Sequence, residues 1–143
     1  YLMLHAEITA KIINSFYKVH NTLGYGFLEK VYENALIIEL KRAEMNVSQQ
    51  QNIRVFYENQ IVGDYYADLI VNENIIMEIK AAENLKAENR SQLINYLKAT
   101  DKEIGLLLNF GKSAEFKRVI FTNDRKDLTE IQTTNPCPSV KSV

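Results

Sequence analysis

The chain has 143 residues, with 17 Lys and Arg against 18 Asp and Glu for a formal net charge of −1, and 46% apolar, 24% charged and 10% aromatic residues. That balance suits one globular domain with a real core, and it excludes a polybasic arm or a broad DNA-coating surface, so any nucleic-acid contact must come from a local basic patch. The single cysteine, Cys137, excludes an intramolecular disulfide framework and a Cys-based zinc site, while His5 and His20 are too few for a His-rich metal site.

No apolar stretch approaches the ~20 residues that a bilayer-spanning helix needs. The start Tyr1-Leu2-Met3-Leu4-His5 has no basic segment and does not read as a signal peptide, and the single cysteine fits the reducing cytoplasm, so a cytoplasmic protein is expected. Leu4, Ile8, Ile12, Phe16, Val19 and Leu23 form a helical stripe, closed by the Gly24-Tyr25-Gly26 turn. A second helix is predicted over 28–42, with Val31, Ala35, Leu36, Ile38 and Leu40 buried. Residues 46–57 read as a strand, Glu58-Asn59 as a hairpin turn, and 60–71 as a second strand. Asn72-Glu73-Asn74 is the next turn and 75–81 a third strand, followed by a third helix over 86–99. Residues 104–110, IGLLLNF, are almost wholly apolar, as in a strand buried on both faces, and 116–122 read as the last strand. From Asp127 polarity rises, Pro136 and Pro138 appear and the apolar period ends. The expectation is a single α/β domain over 1–126, in the order α-α-β-β-β-α-β-β, with a flexible tail over 127–143.

The chemistry concentrates in the second hairpin. If Asn72-Glu73-Asn74 closes a three-residue loop, Val71 pairs with Ile75 and Asp68 lies opposite Glu78, with Lys80 on the same face as Glu78. Two facing carboxylates, their Cβ atoms roughly 5 Å apart, repel each other unless a cation sits between them. The flanking Leu, Ile, Val and Met place them at the edge of a core, where an unpaired charge is costly. The same spacing also suits a surface hairpin in which Lys80 forms a salt bridge with Glu78 or Asp68. Glu29 falls in the first turn of the second helix, where the helix dipole favours an acid in any case. Gln92 and Tyr96, four apart, share one face of the third helix, which is equally the pattern of a half-buried amphipathic face.

Gly26-Phe27-Leu28-Glu29-Lys30-Val31-Tyr32 spells G-x-x-E-x-x-Y. Followed in order by Asp68, Glu78-Ile79-Lys80 and Gln92-Leu93-Ile94-Asn95-Tyr96, it makes the chain resemble the GxxExxY family of the PD-(D/E)XK nuclease superfamily. The resemblance covers about 5–122 and includes LGYGFLEKVYENAL, YYADLIV, EIKA, QLINYLK and GLLLNFG; the Q-x-x-x-Y element is similar to that of RecB-type members. Ala67 stands where the superfamily name has proline, a position that shapes the strand and binds no metal.

The resemblance implies a central mixed sheet of four to five strands flanked by helices, and a nuclease acting on DNA with Mg²⁺ or Mn²⁺. Asp68, Glu78 and the Ile79 carbonyl would hold the ion through hard oxygen ligands, with Glu29 completing the shell from the helix. Lys80 would orient the attacking water or stabilise the developing charge, and Gln92 would fix the site through hydrogen bonds. Tyr32 and Tyr96 are candidate nucleic-acid contacts, Tyr96 alternatively packing beside the site. Lys117 and Arg118, with Lys30, Lys112, Arg125 and Lys126, are candidate phosphate contacts or ordinary solvated surface. Small size and near-neutral charge suggest a homo-oligomer or another partner that enlarges the groove. Two rivals stand beside the nuclease: a nucleic-acid-binding or self-assembling module on the same scaffold without robust cleavage, and a small-molecule phosphoesterase with a closed pocket. Serine-hydrolase, P-loop and Rossmann chemistry lack their motifs here, with only five glycines in the chain.

Overall fold

The computed structural model describes residues 5–126; Leu4 and the expected tail over 127–143 lie outside the described residues. Two helices, α1 (Ala6–Leu23) and α2 (Glu29–Arg42), precede the hairpin strands β1 (Val47–Tyr57), β2 (Gln60–Val71) and β3 (Ile75–Lys80). Helix α3 (Ala87–Lys98) then crosses to β4 (Ile104–Phe110), and β5 (Ala114–Ile120) ends in a 3₁₀ turn at Asn123–Arg125. The five strands lie in the order β1-β2-β3-β4-β5. All neighbours are antiparallel except β3 and β4, which are parallel because α3 carries the chain back across the sheet between them. This is an α/β fold with a mixed sheet, as the resemblance implies.

The helices form two layers around the sheet. Ile12, Phe16 and Val19 of α1 and Tyr32, Leu36 and Leu40 of α2 bury against Leu69, Val71, Ile75, Met77, Ile79, Ile104, Leu106, Leu108 and Phe110 on one face. Leu93, Tyr96 and Leu97 of α3 cover Ile70, Ile76, Leu107 and Val119 on the other. All seven residues of β4 are buried, as expected of a strand covered on both faces. The turn chemistry fixes the hairpins. Glu58 and Asn59 both have positive φ (51° and 63°), the conformation of a tight two-residue hairpin turn. Val71 pairs with Ile75 across the three-residue turn, as the sequence requires.

Two details differ from expectation. In α2, Val31 and Ile38 are exposed while Tyr32 and Glu33 are buried. The buried stripe is Tyr32, Leu36 and Leu40, four residues apart, and the remaining apolar residues of the helix lie outside it. Strand β5 starts at Ala114 and ends at Ile120, two residues earlier than predicted at each end, because its first residues pair with the end of β4 at Asn109↔Glu115 and Phe110↔Ala114.

Candidate active site

The sheet divides at one place. Pairing between β2 and β3 covers only Leu69↔Met77, Ile70↔Ile76 and Val71↔Ile75, whereas β3 continues beside β4 as far as Lys80↔Asn109. The next register position beyond Leu69↔Met77 is Asp68 opposite Glu78. There side chains replace the main-chain ladder: the Asp68 N–H donates to Glu78 Oε2 at 3.0 Å, and the Ile79 N–H donates to Asp68 Oδ2 at 2.8 Å. The two carboxylates are thus held side by side by each other's strand. Glu78 is buried and Asp68 half-buried. Burial, reinforced by the Asp68 charge, pushes the Glu78 carboxyl up to about 8. Burial also raises Asp68, with the charge of Glu33 adding to it, against the lowering effect of the Ile79 N–H bond.

Lys80 is half-buried two residues beyond Glu78, and its charge partly offsets the rise in the Glu78 pKa. Its end of β3 is fixed by Asn109, which is wholly buried on β4. Asn109 Oδ1 accepts from the Ala82 N–H and Asn109 Nδ2 donates to the Ala82 carbonyl, both at 2.9 Å. Gly111 lies against the same loop: a Cβ there would approach the Ala82 oxygen to 2.4 Å, so only glycine fits. His20 Nε2 joins α1 to this corner through a 2.8 Å bond to the Gly111 carbonyl.

Helix α2 presents two acids, not one. Glu29 is exposed in the first turn and adds a small repulsion at Asp68. Glu33, one turn later, is 3% exposed and acts on both Asp68 and Glu78. Its Oε2 accepts from Gln49 Nε2 at 2.7 Å and Gln50 Nε2 at 3.1 Å, and Lys30 Nζ pairs with it at 3.2 Å. Gln50 also donates to Asp68 Oδ1 at 3.5 Å, linking the α2 acid to the sheet pair. It does so from a left-handed backbone (φ 54°) opposite Asp68, a conformation that costs a non-glycine residue about 1–2 kcal/mol. Glu33, Gln49, Gln50 and Asn109 are not among the sequence candidates. Two signals for them existed: Glu33 lies four residues from Glu29 on one helix face, and the Gln49-Gln50-Gln51 run interrupts the alternation of a strand.

The other sequence candidates separate. Gln92 is exposed and donates to the Tyr96 hydroxyl at 2.9 Å. Tyr96 is 6% exposed and its ring packs beside Tyr65; burial and the negative charge of Glu78 and Asp68 push its phenol up to about 12. The expectation that Tyr32 contacts nucleic acid is corrected: it is wholly buried and stacks on Phe110 at 4.4 Å. Its hydroxyl donates to the Gly24 carbonyl at 2.7 Å and accepts from the Phe27 N–H at 3.2 Å, so it pins the turn that launches α2. Strand alternation sends Lys117 and Arg118 to opposite faces of β5. Lys117 shares the α3 face with Val119, and Arg118 the α1–α2 face with Phe116 and Ile120.

Among the described residues no three of His, Cys, Asp and Glu stand close enough together to hold an ion as placed. The donor set nevertheless fits a hard divalent cation: two carboxylates whose adjacent charges disfavour joint ionisation are stabilised as a pair by a cation with oxygen preference. No described helix is long and apolar enough to cross a membrane.

The sequence profile of the PD-(D/E)XK nuclease superfamily matches residues 6–119. No curated protein matches the chain significantly. A solved structure titled "Crystal structure of SSO0001" aligns over 85% of this chain at 17% identity with a TM-score of 0.49, and the chain covers 62% of that structure's length.

Proposed function

The chain belongs to the PD-(D/E)XK nuclease superfamily, and we propose that it is a divalent-metal-dependent nuclease that hydrolyses phosphodiester bonds in DNA. Within the superfamily, the Gly26-x-x-Glu29-x-x-Tyr32 spelling supports a place among the GxxExxY proteins. The observation that carries the reading is the Asp68–Glu78 pair, set where β2 leaves β3 and followed by Lys80 on the Glu78 face. Asp68, Glu78 and the Ile79 carbonyl would hold Mg²⁺ or Mn²⁺, and Glu29, exposed in the first turn of α2, would have to turn toward the pair to add a further carboxylate. A bound divalent ion supplies a polarised phosphoryl oxygen and a water of lowered pKa. Lys80 would orient the attacking water and counter the charge developing on the phosphate. Gln92 and Tyr96 line the approach from α3, and Lys117 offers a phosphate contact on the same face. Exposed Tyr57, Ile61 and Val62 at the end of the β1–β2 arm support self-association, which would widen the nucleic-acid surface of a nearly neutral chain.

A second reading, a nucleic-acid-binding or self-assembling module without robust cleavage, draws on the fact that only two acids are in direct contact at the split, with no third among the described residues close enough. One experiment separates the two. Mn²⁺ or Mg²⁺ should raise the melting temperature of the wild type, as expected for a ligand bound only by the folded state, and should start cleavage of labelled DNA. Asp68→Asn/Glu78→Gln should lose both effects. Cleavage that survives in the double variant, or a metal-induced rise of equal size in it, means that the ion binds elsewhere and the nuclease assignment of this pair is wrong.

A further inference from the structure

Beside the carboxylate pair, a cleft of about 570 Å³ opens between α3 and the part of the β1–β2 arm that has left the sheet. Val55 and Tyr65 form its arm wall, and Ser91, Gln92, Asn95 and Tyr96 its helix wall. Its size is that of a small-molecule or nucleotide site. Tyr65 is 44% exposed, and its ring is fixed from two sides. Its edge lies over Gly63, where a Cβ would meet Tyr65 Cε2 at 2.9 Å, and its ring packs against Tyr96 at 5.6 Å. An aromatic ring thus stands anchored at the cleft mouth with surface to spare.

The opposite wall offers polar groups without net charge. Ser91, Gln92 and Asn95 follow one another along α3 with donors and acceptors that suit the edge of a base. Glu88 and Lys98 also line the cleft with opposite charges, and Lys98 Nζ sits 5.4 Å over the Phe121 ring, so the cleft is not built for a phosphate. The cleft also adjoins the chemistry. Tyr65 precedes Asp68 by three residues on β2, about 10 Å along the strand. Tyr96 lies close enough to Asp68 and Glu78 to feel both charges.

We propose that this cleft receives an unpaired nucleobase adjoining the scissile phosphate, stacked on Tyr65 and held at its edge by Gln92 and Asn95, so that the substrate is single-stranded DNA or a frayed end. The assignment rests on the nuclease reading above and deepens it. A base paired inside a duplex has its faces covered and its edge occupied, so only an unpaired base can enter. Stacking on an aromatic ring tolerates any base, which makes the preference one of strandedness, not sequence.

The test uses a single-stranded DNA oligonucleotide carrying 2-aminopurine and the same oligonucleotide annealed to its complement. Binding is followed by fluorescence with Ca²⁺ in place of Mn²⁺, and cleavage is followed separately with Mn²⁺. The single strand should bind at least about tenfold tighter than the duplex, with quenching of the 2-aminopurine by stacking. Tyr65→Ala should lose about tenfold in single-strand affinity together with the quenching, while Tyr65→Phe keeps both. Asn95→Ala, a change at an exposed helix position, should weaken the single strand selectively and so covers the case in which Tyr65→Ala misfolds. Equal affinity for the two forms, or quenching and affinity unaltered in both Tyr65→Ala and Asn95→Ala, overturns the assignment; a cleft that takes a protein side chain from a partner or a second copy would give that result. If DNA is cleaved through Asp68 and Glu78 without strand preference, the nuclease reading stands and the cleft assignment falls. If the single strand is bound and quenched but nothing is cleaved, the cleft assignment stands and the nuclease reading falls.

Discussion

Glu78 is 8% exposed and faces Asp68, and that placement has a consequence for stability. Its pKa in the fold is about 8 against an ordinary 4.5, so between those values the folded chain holds a proton that the unfolded chain has released. Stability rises with pH only where the unfolded state binds more protons; here the folded state binds more, so the metal-free domain loses stability as pH rises through that window. Asp68, also raised, acts in the same direction at the acid end. In EDTA the melting temperature should fall by about 5 °C or more between pH 5 and pH 8, and Glu78→Gln should flatten most of the slope. A wild-type slope matched by that of the variant would mean that Glu78 ionises freely in the metal-free fold. Divalent metal reverses the sign, since it selects the ionised carboxylates, so metal affinity should climb across the same interval.

At the level of elements, the site depends on how the end of β3 is held against β4. Asn109 satisfies both the N–H and the carbonyl of Ala82, two residues beyond Lys80. Asn109→Ala removes both partners and opens a void at a fully buried position, so it should destabilise the domain by about 1–3 kcal/mol in urea unfolding. Unchanged stability would show that the Ala82 corner is set by other contacts. This corner also shows where the sequence ceases to be informative. Asp68, Glu78 and Lys80 could be placed together because one three-residue turn sets the register of their hairpin, and alternation then determines the faces. Asn109, Glu33, Gln49 and Gln50 act through contacts between different elements; helical spacing marks Glu33 and the glutamine run marks Gln49 and Gln50, but neither says what they touch, and Asn109 carries no local mark at all. The role of Tyr32 is hidden for a related reason. A tyrosine in a motif looks available for a ligand, yet its hydroxyl is used by Gly24 and Phe27, eight and five residues back. In α2 apolar residues occur on more than one side, so composition could not select the buried stripe, whereas α1, with a single stripe, was read correctly at Ile12, Phe16 and Val19. The start of β5 was missed because Ala114 and Glu115 carry no strand signal of their own and are recruited by pairing with β4.

Across the whole molecule, the sheet aligns the chemistry in one row. Asp68 lies opposite Glu78, Glu78 pairs with Leu107, and Leu107 pairs with Lys117 on the edge strand. Lys117 is therefore two strand spacings from Glu78, about 10 Å, on the α3 face, with Lys80 on the same side. A net charge of −1 means that no general field gathers DNA, so cleavage and binding should depend on different members of this row. Lys80 is assigned to the attacking water and Lys117 to a phosphate. The part given to Lys80 is decided by Lys80→Met, which keeps most of the side-chain volume and removes the charge. With Mn²⁺ and labelled single-stranded DNA, cleavage should fall by at least ~10²-fold while the dissociation constant and melting temperature stay close to those of the wild type. A Lys80→Met protein that binds normally and cleaves at the wild-type rate would contradict that assignment.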